Sequence, residues 1–121
     1  MKAKNRWLRQ PEAHDYPAAE SYLRLLLDER TAARLVKKLK SARVQAFKAK
    51  DIFRASGLPL LPTTNIHVCT DQQKLLNGER ISPLLLVRHT EGGPLIIADG
   101  YHRICAVYAI DEDSPIPCKI V

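Results

Sequence analysis

PLIIADGYHRICAVY, Pro94 to Tyr108, joins an apolar run to an Asp-Gly pair and then to apolar residues at helical spacing. Leu95 to Ala98 reads as a buried strand. Ile104, Val107 and Tyr108 share one helical face, so the stretch predicts a strand that turns into a helix near Gly100 and runs to about Ala109. Just upstream, Pro83 to His89 carries a second unbroken apolar run, Leu84 to Val87, and Glu91-Gly92-Gly93 between the two runs is turn chemistry. A β-hairpin of well-buried strands follows from that arrangement. Downstream, Ile116 to Val121, entered through Pro115 and Pro117, supplies one more strand. The fold class predicted is α+β: a small mixed sheet with helices packed on it, preceded by an N-terminal helical hairpin.

That hairpin is read from residues 17 to 40. Pro17 suits the first position of a helix in which Tyr22, Leu23, Leu26 and Leu27 recur at helical spacing, ending around Glu29. A second helix is predicted from Thr31, with Ala32, Leu35, Val36 and Leu39 on one stripe and basic residues on the remainder. Residues 1 to 16 read as a tail that docks through Trp7 and Leu8. Val44 to Phe47 fits neither period. Ala49 to Ser56 predicts a short helix closed by a left-handed Gly57, and Gly57 to Asn65 a proline-punctuated connector. His67, after Ile66 in a short strand, is placed near the cleft described below. Thr70 with Gln73 fits a capping box for a helix ending at Gly78.

The bulk numbers set bounds. A chain of 121 residues with 45% apolar content suits one domain. No run approaches the roughly 18 apolar residues of a membrane span, and no apolar stretch follows the basic start, so a cytoplasmic protein with no membrane partner is expected. Cys69, Cys105 and Cys118 form no C-x-x-C pair, which favours reduced thiols over disulfides. His67, Cys69, His89, His102 and Cys105 have no metal-cage spacing, so no metal site is expected. Net charge is +6, distributed as 14 Lys and Arg against 6 acidic residues in 1–57 and 5 against 7 in 58–121. Two readings of the basic half stay open. Arg30, Arg34, Lys37, Lys38, Lys40 and Arg43 form either a solvated helix face or an electrostatic footprint for DNA or RNA.

The strand-to-helix turn carries the chemistry. A helix opening at a strand's end leaves unpaired N–H groups and partial positive charge there, which attracts anions. Gly100 allows close approach to the backbone. His102 and Arg103 add an imidazole and a guanidinium in the first turn, and Tyr101 adds an amide, which together form a phosphate cradle. The competing reading is structural: Asp99 caps the helix, Gly100 meets a backbone angle, Arg103 pairs with Asp111 or Asp113, and His102 is a surface ring. A capping Asp99 would repel phosphate. The conflict lifts if Asp99 faces Mg²⁺ or serves as a general base.

The order of apolar strand, Gly-Gly turn, strand ending in Asp-Gly-Tyr-His-Arg, helix with Ala106, short acidic loop and IPCKIV resembles the ParB/sulfiredoxin superfamily. The resemblance is good from Ile81 to Val121 and looser back to Lys48, and leaves out residues 1 to 47. Residues 1–47 are read from their own pattern as a tail and basic hairpin; the resemblance implies a free-standing ParB/sulfiredoxin-like domain over 48–121, packed with them in one compact unit. It also implies that Gly100, His102 and Arg103 bind nucleotide phosphates, with a nucleoside di- or triphosphate and Mg²⁺ as cofactor. Sulfiredoxins carry a catalytic cysteine where Tyr101 stands, and Cys105 lies a turn further on, so sulfinic acid reduction is not expected. ParB partition proteins continue into a helix-turn-helix reader that this sequence lacks, so a DNA-sliding clamp is not expected either. Free-standing relatives with an Asp-Gly-x-His-Arg motif phosphorylate small molecules such as serine using a separate acidic base. Asp99 to Arg103 matches that motif, with Asp99 and His102 as the catalytic candidates and Glu79 and Asp51 as candidates for the base. Whether this chain turns over or only binds stays open at this point.

Overall fold

A computed structural model of the chain describes residues 6–89 and 91–121. The elements run α1 (Asp15–Leu26), α2 (Glu29–Ser41), β1 (Gln45–Lys48), α3 (Ala49–Ser56), α4 (Ile66–Leu76), β2 (Leu84–Val87), β3 (Ile96–Asp99), α5 (Tyr101–Ile110) and β4 (Pro115–Ile120). Among the described residues the architecture is thus α+β, with five helices and four strands. The sheet order is β1-β4-β2-β3. β2 and β3 form the antiparallel hairpin read from the sequence, pairing Val87 with Ile96 and Leu86 with Ile97. The chain then crosses over through α5 and returns as β4, parallel to β2. β1 pairs antiparallel with β4, Gln45 opposite Cys118, which makes the sheet mixed. Among the described residues no helix is long and apolar enough to cross a membrane.

Both faces of the sheet are covered, which explains why Leu84 to Val87 show no alternation. Leu84, Leu86, Ile97, Ile116 and Cys118 join residues of α3, α4 and α5 in one core, whereas Leu85, Val87, Ile96 and Ala98 join Ala19, Leu23, Ala32, Val36 and Leu39 of α1 and α2 in another. The hairpin formed by α1 and α2 therefore packs on one face of the sheet. Trp7 is buried in the first core and forms a parallel bridge with Ile81, and the Leu8 amide donates to the Ile81 carbonyl at 2.8 Å, so the described part of the tail docks through Trp7 and Leu8. Lys119 is buried from the other side: its ammonium donates to the Lys40 carbonyl at 2.9 Å, in the last turn of α2, where carbonyls lack helical partners.

The structure corrects three expected helix boundaries and resolves one segment that fitted neither period. Helix α1 begins at Asp15, two residues before Pro17; a first-turn proline costs nothing because its missing N–H would have no helical acceptor. It also ends at Leu26 rather than Glu29, because Asp28 is extended and caps α2, accepting from the Thr31 amide at 2.8 Å. The ambiguous Val44–Phe47 segment becomes most of β1, an edge strand whose partner lies some 70 residues away. Finally, α4 starts at Ile66 and not at Thr70. Asn65 accepts from both the His67 and Val68 amides, at 2.9 and 3.2 Å, while Thr70 sits inside the helix and donates to the Ile66 carbonyl. His67 is therefore a first-turn helical residue rather than a strand residue. Asn65→Ala is expected to cost about 1 kcal/mol, read as a lower urea midpoint at unchanged slope; Thr70→Ala, for comparison, should stay within about 0.5 kcal/mol.

Candidate functional site

Asp99 is the last residue of β3 and Tyr101 the first of α5, so a single residue turns strand into helix. Gly100 does this at φ +105°, which side chains disfavour. Space demands glycine as well: a Cβ here would stand 2.7 Å from Leu84 Cγ and 3.0 Å from the Arg103 guanidinium. Among the described residues no side chain caps α5. Asp99 thus leaves the first-turn amides open, contrary to the capping reading. Its carboxylate turns instead to Arg103, whose Nη2 donates to Asp99 Oδ2 at 2.8 Å and to the Pro83 carbonyl at 3.3 Å. The partner expected among Asp111 and Asp113 is therefore corrected to Asp99, one helical turn back.

Arg103 has a second carboxylate nearby. Asp15 Oδ2 lies 3.8 Å from its Nη2. Asp15 is buried at the start of α1, where it accepts from the Ser82 hydroxyl and, at 3.2 Å, from the Glu12 amide. The N-terminal segment is bolted in this way to the underside of the β3–α5 turn. Nothing in the sequence pattern marks Asp15 or Ser82, because the fold alone brings them together. Arg103 Nε is buried with no hydrogen-bond partner among the described residues.

The mouth of α5 opens into a cleft of about 270 Å³ lined by Asp99 to Arg103 and by His67, Thr70, Asp71 and Lys74 of α4. Those four α4 residues recur at i, i+3, i+4 and i+7, so they form one polar stripe along the helix. The His67 and His102 rings lie 4.8 Å apart at 53°. Tyr101 is held away from the cleft's centre: its hydroxyl donates to the Pro59 carbonyl of the connector. Gly100, Tyr101, His102, Arg103, Asp99 and His67 are therefore all brought to one place. Asp51 and Glu79 are not. Asp51 faces Arg54 on α3 at 3.4 Å, and Glu79 is exposed beyond the end of α4. Among the described residues, the carboxylate that faces the cleft without an ion pair is Asp71, which was missed along with Lys74 because the helix was started one turn late.

Protonation follows burial. Desolvation, and next the neighbouring His67, lower the pKa of His102 below that of free histidine. Desolvation raises that of Asp71, opposed chiefly by Lys74. Asp99 is also raised by burial, with Arg103 opposing. At pH 7 the cleft thus presents a neutral imidazole beside a carboxylate of enhanced basicity. Cys105 is buried on the inner side of α5 and its thiol is pushed up by desolvation, so it is no nucleophile.

No protein-family model, curated protein or solved structure matches the chain. Residue chemistry is consequently what bears on function. Among the described residues no group of three or more His, Cys, Asp or Glu side chains can hold a metal ion. Asp99, the residue offered to Mg²⁺ by the sequence, is already engaged by Arg103. Among the described residues these side chains make no cation cage of their own.

Proposed function

We propose that the chain is a ParB/sulfiredoxin-like domain whose α4–α5 cleft binds the phosphate of a nucleotide or phosphorylated small molecule, and that it serves as a small-molecule phosphotransferase. One observation carries this reading: an uncapped helix N-terminus opens into a polar cleft that also holds Lys74, His102 and His67. Tyr101 to Arg103 offer amides to phosphate oxygens, and Lys74 neutralises the phosphate charge, while the Arg103 guanidinium expected in the cradle is engaged by Asp99. Arg103, clamped by Asp99, holds the turn in shape. His102 hydrogen-bonds the phosphate. Asp71 is the general base: it takes the proton of an acceptor hydroxyl whose oxygen bonds to phosphorus, while the leaving group departs with the electrons of the broken P–O bond.

Calorimetry with ATP, ADP and CTP in the presence of Mg²⁺ tests binding. At least one should bind below millimolar, Lys74→Ala should weaken it about tenfold, and Asp71→Asn should bind while failing to transfer phosphate to small hydroxyl compounds. No binding by any of them removes the proposal. Affinity should also rise with acidity. Since the His102 pKa is depressed, the ring gains its positive charge only as pH falls below the ordinary histidine value of about 6.5, and His102→Gln should flatten that dependence.

A second reading has its own observation. Arg30, Arg34, Lys37, Lys38 and Lys40 are exposed on α2 away from its buried stripe, Arg43 follows exposed, and no carboxylate stands within ion-pair distance of Arg34, Lys37, Lys38 or Arg43 among the described residues. Such a face suits a DNA or RNA backbone. It requires binding that weakens steeply with salt; gel shifts that are absent, or insensitive to salt, remove it.

A further inference from the structure

The β2–β3 hairpin has two ends. The polar cleft lies where β3 finishes, and at the other end, where β2 finishes and β3 begins, a larger hollow of about 460 Å³ opens between the sheet and α3. Its walls are apolar: Phe47 of β1, Ile52 of α3, Leu86 of β2 and Ile120 of β4. Backbone hydrogen bonds hold those walls in place. The Leu95 amide donates to the Ala55 carbonyl at 2.9 Å, fastening the approach to β3 onto α3, and the Arg88 amide donates to the Val121 carbonyl at 2.7 Å. A pre-formed apolar hollow of this volume, with a few polar groups at its edge, has the dimensions of a site for a molecule of about 10 to 20 non-hydrogen atoms.

The edge decides the ligand's charge. Arg88, His89 and Asp51 are its ionisable residues. Asp51 has its cation already, Arg54 at 3.4 Å, whereas Arg88 is exposed with no carboxylate within ion-pair distance among the described residues. One uncommitted guanidinium at the lip of an apolar hollow complements a carboxylate attached to an apolar body. The lone guanidinium suits a single carboxylate better than a polyphosphate chain, which would demand several donors.

We propose that this hollow is a second ligand site, one that takes an amphipathic carboxylate: an aromatic or branched apolar body inserted between α3 and the sheet, with the carboxylate paired to Arg88. It shares no residue with the α4–α5 cleft, so either site can fail without the other.

The test is an amide-resolved NMR titration of the full chain with 4-phenylbutyrate, and with 4-phenylbutan-1-ol as the uncharged counterpart. The acid is expected to bind below millimolar and to shift the amides of Ala55, Leu86, Arg88 and Leu95 while leaving Tyr101 to Arg103 in place. Arg88→Gln should weaken the acid about threefold and leave the alcohol unchanged. Ala55→Phe, a change at an exposed position on the lip, should fill the hollow and abolish both. The proposal is overturned if the acid does not bind at millimolar concentration, if acid and alcohol bind alike, if the shifts fall at the mouth of α5, or if Ala55→Phe leaves binding intact.

Discussion

Arg103→Ala is expected to destabilise the protein by about 3 to 5 kcal/mol, the usual consequence of removing one member of a buried ionic cluster. The Arg103 side chain is 17% exposed and stands between Asp99, 18% exposed, and Asp15, 4% exposed. Without the guanidinium the two carboxylates share a poorly hydrated space, and the Pro83 carbonyl loses its donor. Urea denaturation should show a lower midpoint at unchanged slope. The deficit should also depend on pH. Burial already raises the folded-state pKa of Asp99, and Arg103 is what opposes the rise. In the variant that pKa climbs further above its unfolded value. A carboxylate with a raised folded pKa costs stability while it is ionised in both states, and the cost is relieved as pH falls through the folded pKa. The deficit relative to wild type should therefore be largest near neutrality and narrow toward about pH 4, the unfolded carboxylate range. Arg103→Lys keeps the charge but replaces the planar guanidinium, whose Nη2 serves both Asp99 and the Pro83 carbonyl, with a compact ammonium on a different reach, so its stability should fall between those of wild type and Arg103→Ala. A pH-independent loss below about 1 kcal/mol, the size of an exposed pair, would contradict this role.

Gly100→Ala should cost about 3 kcal/mol and lower the melting temperature by roughly 10 °C in a domain of this size. Two terms contribute. A side chain at φ +105° costs about 1 to 2 kcal/mol, and pressing a methyl group against Leu84, which is fully buried, costs about 1 to 3 more. Gly57→Ala separates them. Gly57 also has positive φ, +67°, yet a Cβ there meets nothing within 4 Å, so only the backbone cost of about 1 kcal/mol should appear. Since Leu84 cannot retreat without opening the core, the Gly100 variant should relieve the clash by shifting the first turn of α5, and nucleotide affinity should fall with it. Equal melting temperatures for the two variants would show that the close approach to Leu84 does not matter.

The parts of the fold that could be read from the chain are those with strong local signals. The β2–β3 hairpin was legible because two apolar runs flank a Gly-Gly turn, and α5 because Asp-Gly precedes an apolar helical pattern. β1 was not. It is four residues long, three of them exposed, and its pairing with β4 is set by the tertiary fold. α4 offered two start signals, Asn65 and Thr70, and the side chain of Asn65 wins by accepting two amides at once. That one-turn error hid the stripe of His67, Thr70, Asp71 and Lys74, whose spacing is visible once the helix begins at Ile66. The motif half of the cleft was thus readable from Gly100 to Arg103, and the half lent by α4 was lost with a misplaced cap. Asp15 and Ser82 had no signal at all, being 67 positions apart and joined only by the packing of α1 against the end of the sheet.

The most direct test of phosphate capture at α5 is an amide-resolved titration of the chain with inorganic pyrophosphate, at fixed ionic strength and with chloride as the control anion. The largest and saturable shifts should fall on the amides of Tyr101, His102 and Arg103, with smaller ones on His67 and Lys74, and should weaken in Lys74→Ala. Shifts confined to α2, or none at the β3–α5 turn at saturating pyrophosphate, would show that the uncapped amides do not receive phosphate.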